Sequence, residues 1–344
     1  MANMKDIAKA TGVSLATISR VFNESDKVRP ATREMVLEVA RKLNYRPNKI
    51  AAGLRKGKSG SIGIIIPVID REVFSSSIKS MEIRLSEAEY NVIICQSHES
   101  QEKEQQIIEN LKQLRVDGII ISISKETKKI DHLVQLQEED IPVIFFDRDI
   151  KLANFNSVVI NNYNGAYQAT NHLIEQGCTN IVHLEGSDNV FIFQERKRGF
   201  LAALRDSEME ANANVCIPFD DGHKEGVEEL RELLISDNPP DGILANGDIA
   251  ALVAIKLIEE LNIRIPEELA IVGFGDSKFC TYLSPSLSSI NQRNEDIGKL
   301  AASLLISQLS KEENQFAGTQ QMLPPILKVR DSSNRLGRYK ALFG

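Results

Sequence analysis

The chain has 344 residues, 42% hydrophobic and 26% charged, with a formal net charge of −7 and four cysteines. That length suits two or three domains with ample core. No run reaches the roughly 18 apolar residues of a membrane span, and the N-terminus has no signal-peptide apolar region, so a cytoplasmic location is expected. Cys95, Cys178, Cys216 and Cys280 are scattered without a CxxC pair, which speaks against zinc or redox chemistry and for reduced, buried thiols.

In chain order, the first 58 residues read as helix, tight turn, helix, and then a third helix. Ile7, Ala8, Val13, Ile18 and Val21 meet in one small core if Gly12 turns the chain between Lys5–Ala10 and Ser14–Asn23. Ser14 sits where a hydroxyl caps a helix N-terminus. The third helix has Pro30 suited to its first position and Val36, Val39, Ala40 and Leu43 on one face, and Tyr45-Arg46-Pro47 stops it. The second helix then leaves Leu15, Ala16, Thr17, Ser19 and Arg20 facing outward. Arg20 offers a fork of donors suited to a guanine edge, and Leu15 and Ala16 offer apolar contact to a thymine methyl. Residues 1–58 hold 13 basic and 5 acidic residues, a net of +8, against −15 for the remainder. A basic head on an acidic chain points to localised polyanion binding.

Lys56-Gly57-Lys58-Ser59-Gly60 is a short polar linker, after which apolar runs alternate with helical patterns. The strand-like runs are Ser61–Pro67, Asn91–Cys95, Gly118–Ile123, Pro142–Phe146, Val158–Ile160, Ile181–Leu184, Val215–Pro218, Gly242–Ala245, Ala270–Phe274 and Leu287–Asn291. Amphipathic segments such as Glu104–Leu114, Ala166–Gln176, Arg196–Ser207, Gly226–Ile235 and Ala250–Leu261 separate them. Near-continuous Val/Ile runs joined by helices imply buried parallel strands covered on both faces, and their number implies two sheets in two lobes. Ligands bind beyond the carboxyl ends of such strands. There the sequence places Asp70, Asp147-Arg148-Asp149, Asn161-Asn162, Asp220-Asp221, Asn246-Gly247-Asp248 and Asp276, with Phe74, Phe191, Phe193 and Phe219 as candidate stacking faces. That set suits a hydroxyl-rich small molecule, although each Asp or Asn singly also suits a helix cap. There is no phosphate-cradling GxxxxGK[ST], no GxGxxG after the first strand, no GxSxG and no HExxH, and the five histidines lack ligand spacing, so neither an enzyme nor a metal or other cofactor is expected.

The motifs Lys5-Asp6-Ile7-Ala8, Gly12-Val13-Ser14, Thr17-Ile18-Ser19-Arg20-Val21-Phe22-Asn23 and Tyr45-Arg46-Pro47-Asn48 resemble the lactose repressor/galactose repressor family of bacterial transcription regulators. The likeness continues through Gly63-Ile64-Ile65-Ile66-Pro67, Val116-Asp117-Gly118, Arg196, Gly199-Phe200, Ile265-Pro266-Glu267, Val272-Gly273-Phe274, Leu283-Ser284-Pro285 and Leu323-Pro324-Pro325. The resemblance implies an all-α helix-turn-helix DNA-binding head over residues 1–58, with a hinge helix at about 48–55. It also implies an α/β two-lobed, periplasmic-binding-protein-like body over 59–344, built on two doubly wound parallel sheets. The lobes would be about 60–161 plus 293–320, and about 162–292 plus 321–344.

By the same resemblance, Leu15, Ala16 and Arg20 face operator bases; Ser14, Thr17 and Asn23 lie near phosphates; Ser19 shares that face; and Asn48 opens the hinge helix, whose Leu54 wedges into the minor groove. Ala52 and Gly53 replace the arginine and serine common there, and Gly53 raises the cost of ordering the hinge by up to about 1 kcal/mol. The effector contacts implied are Asp70, Phe74, Asp147, Arg148, Asn162, Arg196, Phe219, Asp248 and Asp276. Gly247 and Gly275 stand where relatives often carry a polar side chain, which implies a roomier pocket, and Arg71-Glu72 replaces a common Asn-Pro. The expected partners are double-stranded operator DNA, a sugar-like effector and a second copy of the chain, joined near Ile78–Leu85 and Lys278–Leu283, with no membrane and a nucleoid-associated location. A transport receptor would share the body but not the basic head. A sugar-modifying enzyme would need an acid/base pair such as Asp147 and Asp149, and turnover of a bound sugar separates that reading from a regulator. The tail Asp331–Gly344 is expected to be a solvated extension.

Overall fold

The computed structural model describes residues 2–23, 27–45, 59–148, 155–187, 190–209, 216–219, 224–310 and 318–337. The chain divides into a head and a body.

The head's first helix, α1 (Met4–Thr11), starts where Asn3 and Asp6 cap each other: the Asn3 side chain accepts from the Lys5 N–H at 2.8 Å, and the Asp6 carboxylate accepts from the Asn3 N–H at 2.8 Å. Gly12 ends it in the left-handed region at φ 69°. Ser14 accepts the Thr17 N–H at 3.2 Å as α2 (Leu15–Asn23) begins. Then α3 (Pro30–Lys42) begins on its proline. Ile7, Ile18, Val21, Val36 and Ala40 form the core, closed at the edge by Phe22 against Tyr45 at 5.4 Å. Leu43, expected on the buried face of the third helix, falls one residue beyond it and is 37% exposed.

The body holds two six-stranded sheets. The first contains β1 (Ser61–Ile66), β2 (Asn91–Gln96), β3 (Gly118–Ile121), β4 (Val143–Phe146), β5 (Asn156–Ile160) and β11 (Gln320–Leu323), in the order β11-β5-β4-β3-β1-β2 and parallel throughout. The second contains β6 (Ile181–Glu185), β7 (Cys216–Pro218), β8 (Gly242–Ala245), β9 (Ala270–Gly275), β10 (Ser288–Asn291) and β12 (Ile326–Lys328), in the order β12-β10-β9-β8-β6-β7, with only β12 antiparallel. Between the strands run α4 (Glu72–Glu87), α5 (Gln101–Gln113), α6 (Asp131–Glu138), α7 (Asn162–Glu175), α8 (Phe191–Asp206), α9 (Lys224–Leu234), α10 (Asp248–Glu260) and α11 (Asn294–Ser310). The inner strands are buried end to end, because helices cover both faces, and this is why they read as continuous apolar runs.

Two expectations change. The last crossover between sheets lies at Pro324-Pro325, a few residues past the boundary expected at about 320: β11 completes the first sheet before two prolines, which have no N–H for a ladder, release the chain. The tail is not simply solvated: Ser332 and Ser333 are wholly buried, and Arg335 donates to the carbonyls of Pro266, Asp241 and Glu268. Residues 331–337 are therefore a packed strap on the second lobe, and 338–344 lie outside the described residues.

Candidate functional site

On the head, α2 turns Ile18 and Val21 inward and presents Leu15 at 45% exposure, with Ser14, Ala16 and Arg20 also exposed and Thr17 and Ser19 half-buried. The Ser14 and Thr17 hydroxyls lie 3.0 Å apart, so both are held in place by the cap. An exposed leucine and arginine on an otherwise polar helix face, in a unit of strongly positive sequence, form a surface able to enter a major groove. The Asn23 side chain, Asn48 and Leu54 lie outside the described residues.

In the body, a cavity of about 640 Å³ opens at the carboxyl ends of both sheets, lined by the segments after β1, β4, β8, β9 and β10 and by the start of α8. Its centre is Arg196 on α8, 3% exposed. The guanidinium donates from Nε to Asn162 Oδ1 at 2.9 Å and from one Nη to the Asn246 carbonyl, and its Cζ lies over the Phe274 ring, 3.6 Å from the centroid, with the Phe193 centroid at 5.4 Å. Burial lowers its pKa to about 9, opposed by Asp147 and Asp248, so it stays charged at neutral pH. Its other Nη makes no hydrogen bond to the described residues.

Across the cleft, Asp147 sits at φ 59°, 6% exposed. Burial raises its carboxyl pKa against the pull of Arg148, Arg196 and Arg71. It accepts no hydrogen bond among the described residues. Asn246 and Gln292, 9% and 6% exposed, also line the cavity. Arg196 and Asp147 thus give the cavity wall a donor and an acceptor that a polar small molecule would engage.

Of the residues named from sequence, Asp70, Phe74, Asp147, Arg148, Arg196 and Asp248 line this cavity. Asp70 is exposed at its mouth. Arg148 is committed to a bidentate pair with Glu99 at 2.7 and 3.0 Å, and this pair holds Glu99 below the ordinary carboxylate range although burial acts to raise it. Asp248 accepts from Ser289 Oγ at 2.6 Å and from the Ser277 N–H at 2.7 Å, while burial raises its pKa.

Three of the named residues do not line this cavity. Asn162 is not on the cavity wall and instead holds Arg196. Phe219, 1% exposed, belongs to the apolar core of the second lobe, because its strand-end position turns the ring under the sheet. Asp276 uses its carboxylate on Arg330 at 2.6 Å and Asn291 at 2.7 Å, tying β10 to the residue just before the strap rather than facing the cleft. At φ +142° a Cβ on Gly275 would lie 2.8 Å from Asp248 Oδ2, so no side chain is accommodated there in this backbone, whereas at Gly247 a Cβ would meet nothing nearer than 3.8 Å. Sequence reasoning missed Phe274 and Gln292 as cavity residues, while Asn246, named among the strand-end residues but not among the effector contacts, lines the cavity.

Residues 3–48 match the family described as bacterial regulatory proteins, lacI family, and residues 170–333 match a periplasmic binding protein-like domain. The ribose operon repressor of Halalkalibacterium halodurans is 35% identical over 312 residues, spanning 91% of this chain and 92% of that protein. A solved complex of the transcriptional regulator CelR with cellobiose is 27% identical, covering 96% of this chain and 100% of that one, with a TM-score of 0.71. The lac repressor dimer bound to operator and the anti-inducer ONPF shares the fold at a TM-score of 0.84 and 24% identity, over 96% and 99% of the two chains.

Proposed function

The chain belongs to the lacI family of bacterial regulatory proteins, and from that premise we propose that its cleft binds a sugar or sugar derivative whose occupancy sets the affinity of the head for its operator. The protein is a DNA-binding transcriptional repressor under small-molecule control and not an enzyme. The observation that carries the sugar reading is the pairing, across one cavity, of the open Arg196 Nη with the unbonded Asp147 carboxylate, flanked by Asn246 and Gln292 and floored by Phe274. A donor and an acceptor facing each other over an aromatic ring suit neighbouring hydroxyls on a sugar. Relatives named for ribose and solved with cellobiose support the same class.

On the head, Arg20, Leu15 and Ala16 read bases, and Ser14, Thr17 and Ser19 lie toward the backbone. The protein acts in the cytoplasm, on the nucleoid, as a homodimer, since one small head reads too few base pairs alone. Effector binding shifts the balance between two arrangements of the lobes, and operator affinity follows by linkage.

The test is the melting point of the purified protein with D-ribose, D-xylulose, cellobiose and other sugars, followed by binding to a DNA fragment selected from a random pool. A sugar that raises the melting point by mass action and changes DNA affinity supports the reading. A flat panel together with tight DNA binding defeats the sugar assignment while leaving the regulator intact.

A further inference from the structure

We propose that Glu72 is a latch between the lobes, which sets effector affinity through the backbone of Lys278 and not by touching the effector. The part concerning affinity rests on the cleft being the effector site, as proposed above.

Glu72 is the first residue of α4, in the lobe of the first sheet. Lys278 opens a short 3-10 turn, Lys278–Thr281, after β9 of the second sheet. The Glu72 Oε2 accepts the Lys278 N–H at 3.0 Å, across the mouth of the cavity that Glu72, Ser277 and Phe279 line. The Lys278 ammonium is 3.9 Å from Oε1 but 82% exposed, and so contributes little. The backbone bond is the better one, because a carboxylate with only 29% of its side chain exposed makes a charge-assisted contact that water does not fully screen.

Both ends of this bond are anchored. The Ser277 N–H is held by Asp248 and the Asp276 N–H by Ser289 Oγ at 3.0 Å, so the receiving loop is fixed to the second sheet and to the carboxylate on the cavity wall. At the other end, α4 is bound to α11 through Ser77 Oγ, which donates to the Asn294 carbonyl at 3.0 Å. A hydrogen bond between two anchored bodies acts on their relative opening. Lowering the population of the closed form weakens a ligand that requires it by the same factor.

The experiment uses the full chain and its Glu72→Ala and Glu72→Gln variants. Amide hydrogen exchange of the segment 276–283 is measured without ligand, and D-ribose binding is measured by calorimetry. Glu72→Ala is expected to speed exchange of that segment about tenfold and to weaken D-ribose by a similar factor. Glu72→Gln keeps an oxygen acceptor and is expected to restore most of both. Unchanged exchange in Glu72→Ala overturns the latch, and a fall in affinity without a change in exchange makes Glu72 a direct contact instead. Faster exchange with unaltered D-ribose affinity overturns the coupling. If the parent protein does not bind D-ribose, affinity is measured with the sugar that raises its melting point, and the exchange result decides the latch.

Discussion

Arg196 is the residue on which most of the cleft converges, because a guanidinium this buried keeps its charge only while Asn162, the Asn246 carbonyl and the Phe274 ring replace water around it. Arg196→Ala is expected to abolish the response to whichever sugar stabilises the parent, while operator affinity without effector stays unchanged. It also leaves two buried acceptors unpaired, at a cost of about 1–3 kcal/mol, so melting curves and DNA binding must be measured together. Arg196→Lys is expected not to rescue the response, since one ammonium cannot reproduce a planar fork stacked on a ring. His183, under the same region, is 1% exposed and bonded through Nδ1 to the Leu244 carbonyl at 2.9 Å, and its Nε2 has no hydrogen-bond partner among the described residues. Burial pushes its pKa down to about 4 from an ordinary 6.5. It is therefore neutral in the folded protein, while the unfolded chain takes up a proton as pH falls below 6.5. The stability this provides is complete above pH 6.5 and is lost progressively down to pH 4, on the order of 3 kcal/mol. Urea unfolding from pH 7 to 4 checks this, with a flatter acid limb expected for His183→Gln.

Among elements, the packing of α4 on α11 depends on a missing side chain. A Cβ at Gly298 would overlap the Ser77 carbonyl oxygen and Ser80 Oγ. Alanine favours a helix over glycine by about 1 kcal/mol, yet backbone in the way cannot rotate aside. Gly298→Ala is accordingly expected to destabilise the body by about 1–3 kcal/mol, read as a lower urea midpoint at unchanged slope. The strap at 331–337 acts on a comparable scale: Ser333 Oγ reaches both His172 at 2.8 Å and Ser288 at 2.7 Å, joining α7 and β10 in one buried polar network.

For the molecule as a whole, α4 and the edge strand β2 leave Ile83 and Ile94 at 49% and 43% exposure in the first lobe, and Tyr282 at 84% in the second. Exposed apolar side chains on an edge strand and its neighbouring helix mark a surface that a second copy would cover. The double variant Ile83→Lys, Ile94→Lys is expected to sediment as a monomer and to lose at least about tenfold in operator affinity, because one head cannot span two half-sites. A variant that remains dimeric would move the interface elsewhere.

Much of this architecture was legible in the linear order of residues. The buried strands, the turn at Gly12, the cap at Ser14 and the division into a basic head and an acidic body follow from local chemistry: apolar periodicity, glycine conformation, hydroxyl caps and charge. What a strand-end residue does was not legible, since Asp147, Phe219, Asp248 and Asp276 all occupy equivalent places in the pattern. Only the tertiary structure sent Phe219 into the core, tied Asp276 to Arg330, gave Asp248 to Ser277 and left Asp147 open to the cleft. The strap and the last crossover were hidden for the same reason. The sequence by itself determined which elements form and that ligands gather where the strands end; which polar groups remain free was decided by long-range packing, because a hydrogen bond made to a residue far along the chain leaves no local signature.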